Sequence, residues 1–362
     1  MAEGRISALV QGLGRYLRSG RGIWHGLRGD WTRAAHELAA AAESAPDDAL
    51  VWYLLGEVRR RDGQTEQAVD AYQRVLQLRP GLDQARAALG RTLLQSERPA
   101  EALPWLTEAV DRKPGLGSGW WDLAVATAAL GRYNQALSHL DRAVALGEQT
   151  DALWQLRGMV LARLGRYPEA AATLKPLVLQ SPHDPALLNN MAFCLAGNGR
   201  FEEALPYYLR AVALDPADSS LLLSLAACLQ GLDRHAEALD YLDRLPPHPG
   251  DADRALAFTR SYLALGEPTK ALGCLNKTLH LHPGRSDLLR AKADALLQAA
   301  DVPRARAYFR YLLRTSPGLA EPLWGLGRCL EAEGRRDEAL ACYNQAIEAE
   351  RRNASNPPGA AV

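Results

Sequence analysis

The sequence predicts an all-α solenoid of stacked antiparallel helix hairpins with a 34-residue period, and three observations predict it. Ten alanines (Ala34, Ala68, Ala102, Ala136, Ala170, Ala204, Ala238, Ala271, Ala305 and Ala339) recur every 34 residues, with one interval of 33. Twelve residues after seven of them stands a proline: Pro46, Pro80, Pro114, Pro182, Pro216, Pro283 and Pro317. Between these markers the apolar residues fall at helical spacing. A hairpin of two such helices cannot bury both of its faces alone, so neighbouring units must stack and share one continuous core.

The elements follow in order. Residues 1–28 form a basic amphipathic segment in which Ile6, Leu9, Val10, Leu13 and Leu17 share one helical face, with Arg5, Arg15 and Arg18 largely off it. Gly12 and Gly14 weaken that helix. Its stripe either caps the first repeat or docks on an anionic membrane surface or a partner. For docking the candidates are Ile6, Leu9, Leu13, Arg15, Leu17 and Arg18. Residues 29–48 make a partial first unit, with a second helix from Trp31 to Glu43.

Nine full units start at Ala49, Asp83, Gly117, Asp151, Pro185, Ser219, Ala252, Ser286 and Ala320. In the first of them Trp52, Leu55 and Gly56 share a face of helix A, and Gly63 permits the turn. Ala68, Tyr72 and Val75 form the inward stripe of helix B, and Pro80 ends it because proline has no N–H and clashes with the preceding turn. The unit from Ser219 is one residue short and ends Leu245-Pro246-Pro247-His248-Pro249-Gly250, which must truncate its B helix. That irregularity is either a tolerated loop variation or a division between a front array of six repeats, 49–251, and a back array of three, 252–353. Residues 354–362 read as a disordered tail, leaving the Tyr343 and Ile347 face open to a partner or to self-association.

Composition narrows the function. Lys and Arg total 42 against 42 Asp and Glu, a balance that argues against a nucleic-acid partner. No run approaches the ~18 apolar residues of a membrane span. The N-terminus lacks the continuous apolar core of a secretory signal. Five cysteines are too few and odd for a disulfide framework, which fits a reducing, cytoplasmic setting. Cys194, Cys228 and Cys329 share the tenth position of their units, and Cys274 and Cys342 the twenty-third. Recurrence at equivalent places reads as a compact core residue, whereas a nucleophile would be singular. No histidine pair has metal-ligand spacing, and no glycine-rich loop follows a strand, so neither a catalytic site, a metal nor a cofactor is expected.

Trp52, Leu55 and Gly56, then Ala68 and Tyr72, then Pro80 resemble the tetratricopeptide-repeat pattern, as do Trp154, Gly158, Ala170, Leu174 and Pro182. The resemblance covers nearly the whole chain. It implies a right-handed superhelix whose inner groove is lined by positions 2, 5, 9, 12 and 13 of each A helix. Trp52, Trp120 and Trp154, at the fourth position, are then packing residues, and Trp105 packs from a B helix. Trp121 and Trp324, at the fifth, face the groove. The partner-binding candidates so implied are Tyr53, Arg60, Trp121, Gln155, Met159, Arg163, Asn189, Phe193, Arg290 and Trp324. Arg290 is expected to pair with Asp294 one turn later. The Lys and Asn clamp of chaperone-binding members is absent, as is the Asn ladder of the sugar-transferase members.

The sequence therefore predicts a non-enzymatic scaffold or adaptor that holds a protein or peptide in its groove. The alternative is a membrane- or envelope-associated assembly factor, peripheral at the inner face of a membrane, that attaches by its N-terminus and recruits clients through the groove.

Overall fold

The computed structural model describes residues 20–25, 28–246, 251–316 and 319–355, and every regular element among them is helical. The predicted docking segment, with Ile6, Leu9, Leu13, Arg15, Leu17 and Arg18, lies outside the described residues. After a helical stretch at 20–25 comes the lone B helix Trp31–Ser44. The hairpins follow as Ala49–Arg61 with Thr65–Leu78, Asp83–Gln95 with Pro99–Arg112, Gly117–Ala129 with Tyr133–Ala145, and Asp151–Arg163 with Tyr167–Gln180. Then come Pro185–Gly197 with Phe201–Leu214, Ser219–Gly231 with His235–Leu242, Ala252–Ala264 with Pro268–Leu281, Ser286–Gln298 with Val302–Thr315, and Ala320–Ala332 with Arg336–Ser355. Each A helix begins at the residue from which the sequence counts a unit.

The repeat period is a packing requirement. All ten marker alanines are buried, nine of them completely. Eight positions into several A helices a glycine brings the two backbones together: a Cβ on Gly56 would lie 2.8 Å from the Tyr72 ring, and one on Gly158 2.6 Å from Leu174. The turn between A and B helices also repeats. Its closing residue is left-handed in every hairpin, glycine in six (Gly63, Gly131, Gly165, Gly199, Gly266 and Gly334) but Glu97, Asp233 and Ala300 in the other three.

Helix starts are fixed by side chains where the sequence offers them. Asp48, Asp184, Asp218 and Asp251 each accept a backbone N–H of the A helix they precede, satisfying donors the first turn leaves unpaired. At the start of many B helices an arginine grips a glutamate three residues on, as Arg200 with Glu203 and Arg234 with Glu237. These pairs are exposed and contribute little to stability.

The chain divides into two compact units, Met1–Leu177 and Val178–Val362. Within each, consecutive A helices approach one another while consecutive B helices do not, so A helices line the inner wall of each unit. The division at 177/178 differs from the 251/252 boundary read from sequence. The B helix before the proline run is indeed cut to His235–Leu242, eight residues where its counterparts have 13 or more. Its junction is nevertheless bridged inside the second unit. Gln230 Nε2 donates to the Ala257 carbonyl and to Ser261 Oγ, both at 2.8 Å, and Arg260 donates to Gln230 Oε1 at 3.2 Å. These bonds tie the A helices on either side of the shortened B helix to one another, and the one to Ser261 is buried.

The last helix also departs from expectation. It runs to Ser355, two residues into the predicted tail: Arg351, Arg352 and Ala354 are good helix formers, and no proline stands before Pro357.

Candidate functional site

The candidate groove residues sit on A helices at the inner wall of the two units. In the first unit the front of that wall is closed by its own side chains. Tyr72 Oη donates to Glu57 Oε1 at 2.7 Å, Arg60 donates to Glu57 Oε2 at 3.0 Å, and the Tyr53 ring meets Tyr72 edge-on with centroids 5.9 Å apart. Burial alone would raise the Glu57 carboxyl, but the bonds from Tyr72 and Arg60 hold it below its ordinary range. Tyr53 and Arg60 are thus committed to an internal network.

Further along this unit the wall turns apolar. Trp121 and Gln155 are half-buried, Met159 is 42% exposed, and Arg163 is exposed at the end of its helix. Beside Trp121 lies Asp122, a buried carboxylate whose ion pair is with Arg91 at 3.6 Å. Burial pushes its pKa up to about 7; Arg91 opposes the rise and Glu148 adds to it.

In the second unit Asn189 and Phe193 stand one turn apart on Pro185–Gly197. Phe193 is 43% exposed, and Asn189 Oδ1 is buried with no hydrogen-bond partner among the described residues. Phe193 forms one wall of an open cavity of about 610 Å³, lined also by Phe201, Tyr208, Leu223, Ser224 and Asp253. Phe201 was not picked out by sequence reasoning, which took groove residues from A helices alone, whereas Phe201 opens a B helix. A signal for it was present in Gly231, where a Cβ would lie 2.6 Å from the Phe201 ring. Cys228 also borders this cavity, and burial pushes its thiol up to about 11, as it does for Cys194 and Cys329, so none is a thiolate near neutral pH.

At the end of the second unit two expectations are corrected. Trp324 does not stand open: its ring lies 5.2 Å from that of Tyr343, and its Nε1 donates to Glu350 Oε1 at 2.9 Å. Both partners lie on the final helix, Arg336–Ser355. Asp294, raised by burial, makes its ion pair with Arg328 of the next hairpin at 3.5 Å; Arg290, exposed on its own helix, acts on it through its charge without a close pair. The register between stacked A helices overrides the one-turn spacing within a helix. Among the described residues no group of three or more His, Cys, Asp or Glu could hold a metal, and no helix is long and apolar enough to cross a membrane.

The comparisons agree with this architecture. Residues 22–246 match the family described as Cilia and flagella-associated protein 70 C-terminal domain, and residues 256–320 and 296–356 match families described as Tetratricopeptide repeat. No curated protein matches by sequence. Among solved structures, the human IFIT1 dimer with PPP-AAAA is 16% identical, covers 94% of this chain and 84% of its own, and superposes with a TM-score of 0.52. The human IFIT1 dimer with m7Gppp-AAAA is 15% identical, covers 93% and 90%, and gives 0.50. Yeast Tom70 is 11% identical, covers 95% and 97%, and gives 0.48.

Proposed function

Because the chain belongs to the tetratricopeptide-repeat family, and over residues 22–246 to the group described as Cilia and flagella-associated protein 70 C-terminal domain, we propose that it is a non-catalytic scaffold that holds a segment of a partner protein against its A helices. The observation that carries this reading is the second unit's inner wall. An exposed Phe193 beside a cavity of about 610 Å³ leaves apolar area in water, which a folded chain tolerates poorly unless something covers it. A partner's apolar side chain entering there would meet Leu223 and Phe201. Asn189 Oδ1, buried without a donor, would accept an N–H from that partner's backbone. Met159 and Gln155 offer the same pairing of an apolar anchor with an amide in the first unit. The Tyr72–Glu57–Arg60 network is already satisfied and contributes no such anchor. Helices held rigidly by their neighbours supply this wall without any ordering of the receptor on binding.

A photo-crosslinking phenylalanine analogue at position 193 or 159 tests the reading. Both positions are expected to capture the same partner, and the double change Asn189→Ala with Phe193→Ala to lower its co-purification at least tenfold with helicity unchanged. Equal recovery from the double variant would place the partner elsewhere.

A second reading is supported by Ile23 and Trp24, both exposed in the helical stretch at 20–25, with the Arg28 guanidinium 4.0 Å from the Trp24 ring. An exposed Ile-Trp pair with a cation over the indole suits a membrane interface, and would make the protein a peripheral assembly factor. Removal of residues 1–28 is then expected to shift it from the membrane fraction to the supernatant. Unchanged fractionation rejects this reading and leaves the scaffold reading intact.

A further inference from the structure

At three seams of the first unit the fourth residue of the A helix reaches back to the carbonyl of the preceding proline. In the first unit Trp52 Nε1 donates to the Pro46 carbonyl at 3.0 Å, and Trp120 Nε1 to the Pro114 carbonyl at 2.9 Å. Each indole fills the space beside the preceding proline. Arg86, at the same position, donates to the Pro80 carbonyl in its stead. In the second unit the equivalent residue facing Pro283 is Leu289, which is shorter and carries no donor. Here a cavity of about 520 Å³ opens between Pro268–Leu281 and Val302–Thr315. A smaller cavity, about 260 Å³, lies at the preceding seam, where the fourth position is Ala255. Both cavities lie at seams whose fourth residue is not a tryptophan, although Leu188 and Leu222, at the same position after Pro182 and Pro216, are fully buried.

The surroundings of the larger cavity are specific. Tyr308 and Tyr311 form an aromatic wall, and Lys292 places its ammonium 5.2 Å from the Tyr308 ring. His280 stands opposite, and no carboxylate lines the space. Among the described residues, neither the Pro283 carbonyl nor the polar ends of Lys292, Tyr308 and Tyr311 have a hydrogen-bond or ion-pair partner. Residues 268–316 carry nine Lys or Arg against three Asp or Glu, in a chain whose total charge is balanced.

We infer that this seam is a socket for a tryptophan side chain of a partner protein, followed in the partner's sequence by acidic residues. The indole would take the place that Trp52 and Trp120 take at their own seams, with its N–H on the Pro283 carbonyl. The acid would lie against Lys292 and the tyrosine hydroxyls, where the field favours it. Charge also argues against a second copy of this chain as the donor. Its exposed Trp24 is flanked by Arg21, His25 and Arg28, which the basic surface would repel. The site shares no residue with the A-helix wall proposed above, so the two readings stand or fall separately.

Fluorescence anisotropy of the full chain with a labelled hexapeptide Ser-Gly-Trp-Glu-Glu-Ser, against its counterpart with Lys in place of both Glu, tests the inference. The acidic peptide is expected to bind about tenfold tighter or more, with the difference shrinking as salt rises. Leu289→Trp supplies the missing indole from within and is expected to abolish binding; tryptophan is native at this position in three other hairpins, so the fold should accept it. Lys292→Gln should bring the two peptides to within about threefold of each other. Tyr311→Ala, on an exposed side chain, should weaken both. Equal binding of the two peptides, binding that survives Leu289→Trp, or no binding of the acidic peptide at about 1 mM would overturn it. A dimer that dissociates in both Trp24→Ala and Leu289→Trp would give the socket to a second copy and equally overturn it.

Discussion

The seam at Pro114 and the seam at Pro283 are built on the same frame, and they differ most plainly in the fourth residue of the A helix, Trp120 at one and Leu289 at the other. At the first, Trp120 is wedged against the core cluster around Leu106 and Leu123, and its N–H is satisfied by the proline carbonyl. At the second, Leu289 belongs to the core but stops short of the surface, so the outer part of the seam stays open. The comparison teaches that a stacked repeat needs its small alanines and left-handed turns everywhere, whereas the fourth residue is a plug that a repeat can lose and still fold. A lost plug becomes a binding feature when the residues around it are donors and aromatics.

The strongest way to break this comparison is to exchange the two residues. Trp120→Leu removes a packed indole and leaves the Pro114 carbonyl without its donor, and should lower stability by about 2–3 kcal/mol. The reciprocal Leu289→Trp fills space that is already there and should change stability by less than about 1 kcal/mol in either direction. Urea denaturation of the two variants measures both. A loss from Leu289→Trp as large as that from Trp120→Leu would mean that the Pro283 cavity is not indole-shaped and that the two seams differ in backbone, not only in plug.

How far these features were legible in the sequence follows from the range of the interaction behind each. The hairpin starts, the Ala68–Tyr72 stripe and the truncated B helix after Ser219 were all readable, because each depends on residues within one 34-residue period. The fourth-position tryptophans were read as core and are half-buried, and two of them, Trp52 and Trp120, are plugs whose bonds reach back to the preceding unit. Asp294 was assigned to Arg290 by the spacing within its helix, but it pairs with Arg328, 34 residues on, since A helices of successive hairpins lie side by side. Trp324 looked like a groove residue from its position, but its ring packs on Tyr343 and its N–H is taken by Glu350, contacts between two helices that spacing within one helix does not encode. Among the groove candidates, Met159 and Phe193 are exposed as the pattern implies, while Tyr53 and Arg60 are taken up by Glu57 and Tyr72, a pairing that single-helix periodicity does not encode.

A second contrast lies between two carboxylates of the first unit's inner wall. Glu57 is bonded by Tyr72 and Arg60 and is held low, while Asp122 has a single ion pair at 3.6 Å and is pushed up to about 7. A carboxyl raised on folding stabilises the fold only while it stays protonated. Relative to an unfolded value near 3.9, its contribution is complete below about pH 4 and is lost as the pH rises towards 7. Asp122→Asn should therefore flatten the decline of stability between those values and raise stability at pH 8 by roughly 1–2 kcal/mol. Thermal denaturation across pH 4–8 measures it, and a variant whose pH profile parallels the parent's would show that Asp122 is better solvated than its burial implies.

The smallest effect concerns the turns. Six hairpins close on glycine at the left-handed position, and Ala300 closes its hairpin at a φ of 62° with a Cβ that this conformation crowds against the neighbouring carbonyl. Asp233 and Glu97 bear the same strain, but Asp233 has a short polar side chain of the kind that tolerates this region, so alanine is the clearer case. Ala300→Gly relieves the crowding and also loosens the unfolded chain, two contributions of opposite sign. The relief should prevail, giving a net gain of about 0.5–1 kcal/mol by urea denaturation. Gly266→Ala, one hairpin earlier at a φ of 73°, should lose a similar amount. If the two changes moved stability in the same direction, the turn would be governed by its neighbours' packing, and the equivalence of the repeats at this position would fail.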